Sequence, residues 1–74
     1  MNSKKEAHPV SQVEIEGLGL ITPGVKVKQP VLGRGVVEEI ALWADGTYTI
    51  RVNFKRGGPK WLHPGHARLK RSSW

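Results

Sequence analysis

The stretch from Tyr48 to Phe54 constrains the fold more than any other part of this chain. Tyr48, Ile50, Val52 and Phe54 fall on one face and Thr47, Thr49, Arg51 and Asn53 on the other, the period of two of a half-buried strand. Just before it, Asp45-Gly46 is a short hairpin signal. The β-rich segment from Val36 to Trp43 is therefore predicted to pair antiparallel with it. That segment alternates imperfectly, because Val36-Val37 and Glu38-Glu39 each break the period, so a bulge or sharp bend is expected there.

The remaining elements follow from the same reasoning. Val25 to Lys28 sets valines on one face and lysines on the other, and it stops near Pro30, which has no N–H to give to a ladder. After Phe54 come a basic turn, Lys55-Arg56-Gly57-Gly58-Pro59, and a short strand, Lys60-Trp61-Leu62. His63-Pro64-Gly65-His66 turns again, with a single helical turn as one reading, and Ala67-Arg68-Leu69 is expected to close the series. Short strands joined by tight turns point to an all-β fold, a five-stranded SH3-like (Tudor-like) small barrel, since closure removes exposed edges. The expected organisation is a flexible N-terminal arm over residues 1–17, the barrel over 18–70 and a basic tail over 71–74. The arm is polar and broken by His8-Pro9, with one short extended piece at Val13-Glu14-Ile15.

The chain has 74 residues, which allows one domain with a small core, because a chain near 60 residues buries only about 60% of its unfolded surface. A deep catalytic cleft is not expected, so the protein is read as no enzyme. Nine glycines and five prolines fit a turn-rich fold. The absence of cysteine removes disulfides, zinc-thiolate sites and thiol nucleophiles. The N-terminus has no apolar run after its lysines and no stretch approaches a membrane span, so a cytoplasmic monomer is expected. Charge is uneven: between Val25 and Arg71 ten Lys and Arg face only Glu38, Glu39 and Asp45. Such a field attracts phosphate or an acidic protein surface, and it also serves solubility.

Catalytic and metal chemistry find little support. His63 and His66 are two residues of a metal site that lacks a third, because His8 lies in the arm and no acidic residue is near in sequence. Gly33-Arg34-Gly35 and Gly57-Gly58-Pro59-Lys60 lack the spacing and the following helix of a phosphate-binding loop. The serines lie in the arms and Asp45 in a turn, so no Ser-His-Asp arrangement forms. No cofactor and no metal are expected. Tyr48 and Phe54 are assigned to the core, each worth about 1.5–3 kcal/mol by burial. Trp43, at the hairpin tip, and Trp61 are open to stacking on a base or gripping a partner, with a capping role for Trp61 as the plainer alternative. Candidate binding residues are Lys26, Lys28, Arg34, Lys55, Arg56, Lys60 and Trp61. The cations form a phosphate-tracking stripe if they share a face of the barrel.

The order of residues carries one further signal. The run from Gly24 to Val37, GVKVKQPVLGRGVV, is followed by Val52-Asn53-Phe54 and then by Gly58 to Leu69, GPKWLHPGHARL. This resembles the Tudor-like, SH3-fold C-terminal domain of UvrD- and PcrA-type DNA helicases. The matching positions are Gly24, Val27, Gly33, Gly35, Val37, Val52, Phe54, Gly58, Lys60, Leu62, Ala67 and Leu69; Gln29 and Leu32 stand where that family usually has His and Phe. The resemblance implies a non-catalytic module that contacts RNA polymerase or another DNA repair or transcription protein, here standing alone, since nothing resembles a Walker motif. Direct binding of DNA or RNA through a basic face is the alternative.

Overall fold

The computed structural model describes residues 6–72, and every regular element within them is a strand. In chain order these are β1 (Ala7–Val10), β2 (Val13–Ile15), β3 (Gly19–Ile21), β4 (Lys26–Gln29), β5 (Gly33–Trp43), β6 (Tyr48–Phe54), β7 (Gly58–Leu62) and β8 (Lys70–Arg71). The all-β class expected from the sequence is what is found. No helix among the described residues is long and apolar enough to cross a membrane.

The long strand β5 organises the molecule. Along one edge it pairs with β6 from Gly35 opposite Phe54 to Leu42 opposite Tyr48. Along the other edge its first half pairs with β4, Gln29 opposite Gly33 through Lys26 opposite Val36, and its last residues pair with β1. One strand can serve partners in two directions because its register shifts between Val37 and Glu39. A bulge adds a residue to one side of the ladder and bends the strand, as the broken alternation predicted. The hairpin turn is the expected one. Gly46 takes φ 89°, and the Asp45 carboxylate accepts hydrogen bonds from the Thr47 amide at 3.0 Å and hydroxyl at 2.7 Å, so the loop is held by its own side chains.

Inward-facing residues of the bent sheet, Val27, Val37, Ile40, Ile50, Val52 and Phe54, form a core that the β2–β3 hairpin covers with Val13, Leu18 and Ile21. Leu69 completes it, and Tyr48 packs half-buried against it. The hairpin is tied across the molecule by Arg71, whose guanidinium donates to the Leu20 carbonyl at 2.6 Å and the Leu18 carbonyl at 3.4 Å. The main sheet runs β7-β6-β5-β4-β8. It therefore has ends at β7 and β8, and its ladder does not close into the five-stranded barrel expected from the sequence.

Two expectations are corrected. The segment read as a flexible arm carries β1 and β2, with Val13 and Ile21 sharing the core. Pro9 does not prevent this, because β1 is an edge strand and an edge tolerates a missing N–H. The closing element is β8, not Ala67-Arg68-Leu69. His63 to Ala67 makes one helical turn, in which the His66 and Ala67 amides both donate to the His63 carbonyl, and Arg68 then takes φ 55°, which ends it. The part of the expected arm before residue 6, and residues 73–74 of the expected tail, lie outside the described residues.

Candidate functional site

Residues directly opposite in an antiparallel ladder project from the same face, with Cβ atoms about 4.5–5.5 Å apart. Lys28 lies opposite Arg34 on β5 and opposite Lys70 on β8. Val27, the neighbour of Lys28, faces the core at 0% exposure, so Lys70, Lys28 and Arg34 form a row on the outer face. The row extends to Lys55, whose amide donates to the Arg34 carbonyl at 3.0 Å. Four cations thus cross the sheet at the end where the β4–β5 and β6–β7 turns lie.

Two clefts open beside this row. One, of about 630 Å³, is lined by Pro30 to Arg34 with Lys55 and Arg56. The other, of about 340 Å³, is lined by Lys28, Gln29, Pro30, Gly33, Arg68 and Lys70. Each holds three cations and no carboxylate. The clefts share Pro30 and Gly33, so the β4–β5 turn is the ridge between them. That turn is pinned from inside: the Gln29 side-chain oxygen accepts from the amides of Val31 at 2.7 Å and Leu32 at 2.6 Å.

The remaining candidates lie elsewhere. Lys26 is on the outer face one row along, opposite Val36. Lys60 is opposite Val52 and folds over the β6–β7 turn, its Cε 3.0 Å from where a Cβ on Gly57 would stand. Trp61 is separated from the cationic clefts. With Trp43, Ala7, Pro9, Ala41, Glu39 and Thr49 it lines an outer-face groove of about 520 Å³, so it does not cap the core. Trp43 is fixed there by donating its indole N–H to the Thr49 hydroxyl at 2.8 Å. Trp61, at 49% exposure, has the Arg51 guanidinium 5.8 Å from its ring centre, within cation–π range. Arg51 is in turn flanked by Glu38 at 3.2 Å and Glu39 at 3.3 Å. Its Nε makes no aligned hydrogen bond, so the Glu38 contact is Coulombic, and at these exposures it contributes at most about 1 kcal/mol.

Glu39 lines the aromatic groove and Glu38 meets Arg51 beside it, Asp45 sits at the far hairpin, and the turn end is cationic. Arg68 and Lys70 were not among the residues singled out from the sequence. Lys70 joins through a β4–β8 pairing between residues about forty apart, which no local pattern encodes. His63 and His66 meet edge to face with ring centres 6.1 Å apart. Among the described residues no group of three or more potential metal-ligating side chains occurs.

No family model, curated protein or solved structure matches this chain. Fold and site together define a small all-β protein with a cationic end and a separate aromatic groove.

Proposed function

We propose that this protein is a non-catalytic binding module of the SH3-like barrel kind, the β2–β3 hairpin covering the open side of the sheet, and that its cationic end holds the phosphate backbone of a nucleic acid. The observation that carries this reading is the Lys70–Lys28–Arg34 row. Lys28 has Arg34 and Lys70 directly opposite it, between two clefts whose linings hold six cations and no carboxylate, a local positive field that attracts an anionic ligand.

The test is a titration with duplex and single-stranded DNA at two salt concentrations. Four neutralised phosphates on duplex DNA give a slope of log K against log salt of about −3.6. The charge reversals Lys28→Glu, Arg34→Glu and Lys55→Glu, combined, are expected to remove binding. Absence of binding at low salt overturns the reading.

A second reading draws on the half-exposed Trp61 in its apolar groove. There a protein covers the groove, and RNA polymerase or another repair or transcription protein is the partner that the resemblance to the helicase domain implies. Purified RNA polymerase titrated against Trp61→Ala and against a Lys55/Arg56/Lys60 charge reversal tests it. Weaker binding of Trp61→Ala supports the groove, and undiminished binding of both variants removes this reading.

A further inference from the structure

We infer that Val31 is an apolar wedge that enters the minor groove of duplex DNA while the cations on either side of it hold phosphates of the two strands. The inference rests on the proposed binding of nucleic acid at the cationic end and names its form.

Val31 is the most exposed large apolar side chain among the described residues, at 76%. A single exposed valine is ordinary on a protein surface; its setting is not. It lines the cleft that holds Arg34, Lys55 and Arg56, and its neighbour Pro30 is shared with the second cleft, which holds Lys28, Arg68 and Lys70. Leu32, beside it, turns back to pack on the core, which anchors the tip.

The tip also offers no hydrogen-bond donor from its backbone. Pro30 has no N–H, and the amides of Val31 and Leu32 are both consumed by the Gln29 side chain. A turn built to read a base edge or hold an anion directly would leave its amides outward. This one turns them inward and presents a β-branched side chain, stiff at χ1, on a pinned backbone.

The dimensions agree with a groove binder. The row from Lys70 to Lys55 crosses four strands, and three strand spacings of about 4.8 Å make about 14 Å. That bridges a minor groove about 6 Å wide and leaves cations over both rims. Apolar wedges in this position partly unstack a base step and bend the duplex toward the major groove. Pyrimidine–purine steps, which deform most readily, are the expected site.

The experiment uses the full chain with a 20-base-pair duplex carrying a central TA step, the same duplex with an A-tract at its centre, and one of the single strands. Affinity is read by anisotropy, and bending by energy transfer between dyes on the duplex ends. The wild-type protein is expected to prefer the TA duplex and to shorten its end-to-end distance. Val31→Ala is expected to weaken the TA duplex about tenfold, to abolish the bend and to leave single-strand affinity unchanged. Its exposure makes loss of folding no explanation, and an unchanged thermal transition checks this. If Val31→Ala binds and bends the duplex like wild type while the combined Lys28, Arg34 and Lys55 reversal loses binding, the wedge is overturned and the phosphate reading stands. If that reversal changes nothing either, the phosphate reading falls with it. Equal wild-type affinity for single strand and TA duplex also overturns the wedge.

Discussion

Gly35 stands directly opposite Phe54 across the β5–β6 ladder, and a Cβ on Gly35 would lie 2.8 Å from Phe54 Cδ1 and 2.6 Å from Val52 Cγ1. The glycine is required by the ring and not by a turn, since its backbone is not among those with positive φ. Phe54, 2% exposed, is among the largest fully buried side chains of the core, and it cannot retreat without opening a void. Gly35→Ala is expected to cost about 1–3 kcal/mol, the usual penalty of overpacking, read as a lower urea midpoint with an unchanged slope. A variant as stable as wild type would show that the core yields at this point.

The Lys28 position couples stability to binding in opposite directions. Replacing Lys28 with Thr removes two like-charge pairs, with Arg34 and Lys70, and supplies a better strand former. Stability is expected to rise by about 0.2–1 kcal/mol for each pair relieved, while affinity for duplex DNA falls and the salt slope shrinks by about 0.9. A variant that binds as before would place Lys28 outside the interface.

Thr49 is the one buried polar side chain among the described residues, at 6% exposure, and its hydroxyl is the acceptor for the Trp43 indole. Thr49→Val keeps the shape and takes away the acceptor. It is expected to destabilise by about 1–3 kcal/mol, the cost of a polar group left without its partner, with a shift in tryptophan emission as the groove loses its fixed ring. Unchanged emission and stability would mean that water serves the indole equally well.

Asp45 gives the pH dependence of the hairpin. Its carboxylate is held below the ordinary range, first by the Thr47 hydroxyl and then by the Thr47 amide. A group whose folded pKa is depressed contributes stability that is complete above its unfolded value, near 3.9, and is lost as pH falls through the folded pKa. Thr47→Ala is expected to move the Asp45 titration up toward the ordinary value, followed by carboxyl carbon shifts in NMR. The hairpin amides should then exchange faster than in wild type above about pH 4, with the difference fading as pH falls and Asp45 is protonated in both proteins. An Asp45 titration indifferent to Thr47→Ala would remove the hydroxyl as the cause.

Much of this architecture is local and was readable in the chain. The alternation from Tyr48 to Phe54, the turn at Asp45-Gly46 and the broken period at Glu38-Glu39 set the central hairpin and its bend, because side-chain period and turn chemistry act over a few residues. The class of fold and the seven candidate side chains followed from the same local signals. Which of those side chains meet was decided by register between distant strands. Lys28, Arg34, Lys55 and Arg56 converge on one turn with Arg68 and Lys70, while Trp61 leaves them to share a groove with Trp43. Strand pairing also recruited Ala7–Val10 to the free edge of β5, where a short polar segment carrying a proline had no pattern of its own. Sequence determined which faces are apolar and which are charged; only the tertiary structure decided which charges stand side by side, because a ladder's partner is chosen by the burial of the whole sheet and not by the residues that the pairing brings together.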